Sequence, residues 1–295
     1  MSFFDIIQQY SWNKIENNIY SKTSRDVERA LSHAGNADMD DFMALLSPAA
    51  SKYIEEMAQI SQQLTLKRFG KTIQLYIPLY LSNECTNSCV YCGFNHNNKI
   101  TRKTLSAQEI RDESQKIKDM GFDHILLVTG EHPKKAGFQY LYEVVQEMTK
   151  KFSMVSIEVQ PLETKEYKKL QEIGLHSVYL YQETYNQKNY PHYHPSGKKS
   201  DFRHRLESPD RMGKAEIHKT GLGVLLGLED WRVDSWFTAL HLRYLQKHYW
   251  KTKYSISFPR LRPFAGSYKP NYEISDKQMV QLITAYRIFD ENLEL

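Results

Sequence analysis

From Thr72 onward, short strand-like runs alternate with amphipathic helical stretches, and this alternation restricts the fold more than any other feature. The strand candidates are Gln74–Tyr80, His124–Thr129, Val155–Val159, Ser177–Tyr181, Gly223–Gly227 and Tyr254–Pro259. Helical candidates lie near 106–120, 138–151, 164–173, 201–219, 232–249 and 275–290. Repeated β–α units predict a parallel sheet with helices outside it. The apolar run His124–Val128 fits a strand buried on both faces. Met120-Gly121, Ile173-Gly174 and Thr220-Gly221 read as helix ends, where glycine supplies a left-handed C-cap. Six such units make a partial barrel or an open sheet, and eight would close a full barrel.

The first seventy residues read as helices instead. Ser24 stands as an N-cap ahead of acidic residues in the first turn of 24–31. Ser47-Pro48 is a second start signal. Ile54, Met57, Ala58, Ser61, Leu64 and Thr65 then recur at helical spacing until Gly70. The expected organisation is an α/β chain: an N-terminal helical extension over 1–70 and a (β/α) barrel domain of six units over 71–295.

Composition narrows the class. The formal net charge is +4, from 39 basic and 35 acidic residues spread along the chain with no dense basic block, so nucleic acid is not an expected partner. The longest apolar runs are strand length, so no membrane span is expected. Met1–Asp5 lacks a basic stretch before an apolar core, so it is not a secretory signal, and the cytoplasm is the expected compartment.

All three cysteines fall between positions 85 and 92. An odd number in one short window does not make a disulfide framework. Cys85, Cys89 and Cys92 instead suit ligands of one metal centre, on a loop that follows the first barrel strand, where barrel active sites lie. Three thiolates can hold three irons of a 4Fe–4S cluster and leave the fourth open to another ligand. The competing reading is a closed zinc site on Cys85, Cys89, Cys92 and His96, in a binding module without catalysis. His192 and His194 read as loop residues covering the site.

The C-x₃-C-x₂-C spacing, with Tyr91 just before the last cysteine, resembles the radical S-adenosylmethionine superfamily. That resemblance implies a 4Fe–4S cluster whose open iron chelates S-adenosylmethionine, with Tyr91 against the adenine. Thr129-Gly130-Glu131 resembles the turn that meets the cofactor's ammonium group, with Thr129 in place of the usual first glycine. Glu183 falls where a glutamate binds the ribose, and Arg205 is favoured over Arg203 and Arg211 for the methionine carboxylate.

Longer stretches narrow the resemblance: Gln182–Tyr185, Tyr193–Phe202, Ser208–Arg211 and Ser255–Pro263 look like the tyrosine lyases, and most like the 2-iminoacetate synthases of thiamine biosynthesis. This implies cleavage of the Cα–Cβ bond of L-tyrosine by a 5′-deoxyadenosyl radical, giving p-cresol and 2-iminoacetate. It implies thiazole synthase as the recipient and a flavodoxin- or ferredoxin-type electron donor. The hydrogenase-maturation lyases are the nearest rival, but they carry a second cysteine-ligated cluster, and no cysteine follows Cys92 here. The resemblance also implies two further β–α units, the first starting near Glu291–Leu295, with a serine and an arginine for the amino-acid substrate. On that expectation these 295 residues are a truncated eight-unit barrel that holds a cluster, binds tyrosine weakly and makes little p-cresol.

Overall fold

The computed structural model describes residues 2–264, 266–270 and 272–295. Five helices come first: α1 (Phe3–Ile7), α2 (Trp12–Tyr20), α3 (Ser24–Ser32), α4 (Met39–Leu46) and α5 (Ile54–Phe69). The β–α series follows as β1 (Ile77–Ser82), α6 (Ala107–Asp119), β2 (His124–Thr129), α7 (Phe138–Met148), β3 (Met154–Glu158), α8 (Thr164–Glu172) and β4 (Ser177–Tyr179). The short helices α9 (Tyr190–Tyr193), α10 (Phe202–Leu206) and α11 (Ser208–Lys214) lead to β5 (Lys219–Gly223), α12 (Trp231–His248), β6 (Lys253–Ser257) and α13 (Asp276–Phe289).

The six strands form one parallel sheet in sequence order. Alternate residues serve its two faces. Ile125, Leu127, Val155, Ile157 and Val178 face the helices and share a core with Ile110, Leu141, Val145 and Leu170. Tyr80, Val128, Glu158 and Tyr179 line a cavity on the other face, which is the barrel lumen. A second core joins α1–α5 to β5, β6, α12 and α13, with Phe42 against Tyr286 and Phe289.

Three local expectations change. Thr23, not Ser24, caps α3, because its side chain and Asp26 form a reciprocal capping box. Ser47-Pro48 opens a short 3₁₀ turn rather than α5, which starts from Tyr53. The fifth strand lies at 219–223, not 223–227, and the helix expected over 201–219 breaks into α10 and α11. Gly221 is therefore a strand residue, not a helix stop. A Cβ there would lie 2.1 Å from Cδ1 of Tyr179, so the position admits only glycine beside that ring. Glu216, at φ 57°, makes the left-handed turn instead. Near the C-terminus, Glu294 pairs in parallel with β6 at Ser255.

Candidate active site

The cysteine segment leaves β1 and folds over the C-terminal ends of β1–β4. Its seat depends on Gly130, after β2: a Cβ there would lie 2.3 Å from the carbonyl oxygen of Glu84 and 3.2 Å from Cβ of Cys85. Glycine at this position admits the cysteine loop itself. The segment 190–201 straps the loop from above. Val90 N–H donates to the Tyr193 carbonyl at 3.1 Å, Lys199 N–H to Asn87 Oδ1 at 3.0 Å, and the Ser88 and Ser196 hydroxyls meet at 2.5 Å. Gly197, at φ 90°, lets the strap turn against Asn87.

Cys85, Cys89 and Cys92 line one lumen cavity of about 250 Å³ together with Tyr91, Glu131, Glu183 and Arg205. Among the described residues, no three His, Cys, Asp or Glu side chains stand close enough to share a single metal ion. His96 instead approaches the Cys85 carbonyl through Nδ1 at 3.3 Å. Three cysteines on one cavity, with His96 turned to the Cys85 carbonyl rather than to the thiols, fit the donor set of a 4Fe–4S cluster that leaves one iron open. Burial pushes the Cys89 thiol up to about 12 and raises Cys92 as well. Such thiols become thiolates when a metal offsets the buried charge.

The charged residues picked from the sequence converge on this cavity. Arg205 is buried on α10; its NH1 donates to Glu131 at 2.9 Å, its NH2 lies 3.5 Å from Glu183, and its Nε donates to the Tyr181 carbonyl at 2.7 Å. Arg203 pairs on the surface with Glu207, and Arg211 binds the carbonyls of Leu162 and His204. Burial would raise the Glu131 carboxyl, but the charges of Arg205 and Lys199, with the Asn87 amide at 2.8 Å, hold it below its ordinary range. Glu183 sits at φ 72°, a left-handed backbone that is costly for a residue with a side chain.

Three participants were missed in the sequence. Lys199 is buried 2.6 Å from Glu183, and opposite charge outweighs burial to raise its pKa. Asn87 ties Glu131 to the strap. His194, read as a loop residue, is fully buried, and burial holds its pKa down to about 2, so the ring is neutral. Its Nδ1 lies 3.1 Å from the Tyr190 carbonyl, which can only accept, so Nδ1 carries the proton. Nε2 then accepts from the Tyr91 hydroxyl at 2.7 Å and fixes that ring.

A sequence profile of the Radical SAM superfamily matches residues 79–238. The 2-iminoacetate synthases of Escherichia coli and Salmonella typhimurium are 50% and 49% identical over 295 residues, which is all of this chain and 78% of each of theirs. The FeFe-hydrogenase maturase HydG superposes with a TM-score of 0.89 at 29% identity, over 95% of this chain and 66% of that one, so this chain spans about two thirds of HydG's length. Methylornithine synthase shares the fold, with a TM-score of 0.71 at 19% identity over 90% of this chain and 77% of that one. With the three cysteines on one cavity and half of all residues shared with those two synthases, the chain belongs to the radical SAM superfamily and, within it, to the 2-iminoacetate synthase family.

Proposed function

We propose that this chain is a carbon–carbon lyase that cleaves the Cα–Cβ bond of L-tyrosine to p-cresol and 2-iminoacetate, for the thiazole moiety of thiamine. The observation that carries this reading is the three-cysteine cavity bordered by paired charges, in a chain similar throughout its length to 2-iminoacetate synthases. A 4Fe–4S cluster on Cys85, Cys89 and Cys92, with S-adenosylmethionine, supplies the one-electron chemistry when bound.

The chain's own residues bind, orient and exclude water. Arg205 offers a planar fork to the methionine carboxylate, and Glu131 offers a carboxylate to its ammonium group. Glu183 would accept from the ribose hydroxyls, and Tyr91, clamped by His194, gives a fixed face for adenine. These four groups are held by protein partners, so little reorganisation accompanies binding. The strap covers the cysteine loop on its outer side. An imine product hydrolyses readily, which favours transfer to thiazole synthase, and a flavodoxin or ferredoxin would reduce the cluster. No helix among the described residues is long and apolar enough to cross a membrane, and we place the enzyme in the cytoplasm.

Anaerobic reconstitution with iron and sulfide, followed by addition of reductant and S-adenosylmethionine, tests the reading. It expects equal amounts of iron and sulfide and the release of 5′-deoxyadenosine. Zinc bound in their place, with no 5′-deoxyadenosine, overturns it.

A further inference from the structure

The lumen cavity holds three carboxylates, and only two of them are paired. Glu131 bonds to Arg205 and Asn87, and Glu183 to Lys199 and Arg205. The side chain of Glu158, the last residue of β3, has no hydrogen-bond or ion-pair partner among the described residues. Register places it beside Val128 of β2, which in turn pairs with Tyr80 of β1, one layer below Thr129 and Gly130 at the rim. The hydroxyl of Thr129, in the same cavity, is buried without a partner. Burial and the Glu183 charge push the Glu158 carboxyl up to about 7, against the partial relief given by Lys199 and Arg205. Glu158 is half-buried and lines the cavity, so a ligand filling the lumen would desolvate this unpaired carboxylate, at a cost unless that ligand completes it.

We propose that Glu158 binds the amino group of the amino-acid substrate, holding it beneath the rim. This rests on the tyrosine-lyase reading and deepens it. Of the polar groups of tyrosine, the ammonium alone carries the charge that offsets a buried carboxylate, whereas the phenol is neutral and the substrate carboxylate is repelled. Lys199 and Arg205 relieve the Glu158 charge only in part, because their contact pairs are Glu183 and Glu131. The placement brings the amino group under the rim, since Glu158 lies one layer below the Thr129–Glu131 turn. Tyr80 and Tyr179 flank the same cavity and offer aromatic surface to the ring.

The test compares L-tyrosine with 3-(4-hydroxyphenyl)propanoate, which lacks only the amino group, on reconstituted wild type and Glu158→Gln. The variant should raise the tyrosine KM by about tenfold or more, the loss of a charge-assisted hydrogen bond, with a smaller change in kcat. The inhibition constant of the desamino acid should stay within about twofold, because that ligand never used the carboxylate. Iron content should match wild type; if the amide disturbs packing, Glu158→Met provides the same comparison. An unchanged tyrosine KM, or an equal shift for both ligands, overturns the assignment while leaving the lyase reading intact. Wild type that forms no p-cresol overturns the lyase reading, and the Glu158 assignment falls with it.

Discussion

The rim of the barrel and the lumen just below it handle charge in opposite ways. At the rim, Glu131, Glu183, Lys199 and Arg205 form a buried network in which each group has an oppositely charged neighbour. One layer down, the Glu158 side chain has no hydrogen-bond or ion-pair partner among the described residues and feels Lys199 and Arg205 only at longer range. A network that is complete without a ligand can present fixed dipoles and charges to an incoming cofactor at little reorganisation cost. A carboxylate left open stores unfavourable energy that a cationic ligand releases on binding. The first arrangement gives geometry, and the second gives selectivity for what enters.

The comparison breaks most sharply at the thiols. Cys89→Ala should abolish cluster binding and 5′-deoxyadenosine formation, because the remaining pair cannot hold three irons. A variant retaining the full 4Fe–4S absorption and normal turnover would remove the rim's purpose.

Arg205→Ala comes next. It strands Glu131 in a buried site, and chemical denaturation should show a loss of about 3–5 kcal/mol. S-adenosylmethionine binding should weaken by about 1.5–3 kcal/mol, measured by calorimetry on the reconstituted protein. Arg203→Ala, which breaks only the exposed pair with Glu207, should cost under about 1 kcal/mol. Equal effects from the two variants would mean that the rim is not a special environment.

Stability against pH separates the two layers by sign. Glu131 is held below its ordinary value of 4.5, so its contribution is present above that pH and is lost as pH falls through the folded value. Glu158 is raised from 4.5 to about 7, so the stability it permits is full below 4.5 and declines as pH rises towards 7. Glu158→Gln should flatten that decline, worth at most about 3 kcal/mol, while Glu131→Gln should flatten the acid limb. Denaturation midpoints of cluster-free protein from about pH 2 to 8 would show both; no change with Glu158→Gln would mean that its carboxyl is solvated or paired.

The smallest effect concerns Tyr91. His194→Phe removes the acceptor of a buried hydroxyl and should cost about 1–2 kcal/mol in stability. S-adenosylmethionine should bind more weakly while iron content stays unchanged, and His194→Gln should restore part of the loss. Weaker cluster retention with unaltered cofactor affinity would assign His194 to the loop alone.

Local patterns in the sequence reveal the β–α order and the cysteine loop, because strand hydrophobicity, capping residues and three thiols within eight positions are short-range signals. Glu131, Glu183 and Arg205 were reached through the resemblance rather than through periodicity. Lys199, Asn87 and His194 escaped because their roles depend on pairings far along the chain: Tyr91 and His194 are 103 residues apart, and Asn87 and Lys199 are 112 apart. Such contacts exist only once the strap has crossed the cysteine loop. Glycine misled at Thr220-Gly221, because a helix stop and a strand position that receives an aromatic ring demand the same residue. Glu158 drew no notice, since an acidic residue ending a strand looks solvated until the register places it in the lumen.

The most direct measurement quantifies p-cresol and 5′-deoxyadenosine after anaerobic incubation of the reconstituted chain with reductant, S-adenosylmethionine and L-tyrosine. The account predicts that p-cresol forms, at whatever rate, only when both small molecules and all three cysteines are present, and that Cys89→Ala abolishes both products. If 5′-deoxyadenosine accumulates while tyrosine remains intact, or if p-cresol forms equally well without Cys89, the assignment of this site to tyrosine cleavage is contradicted.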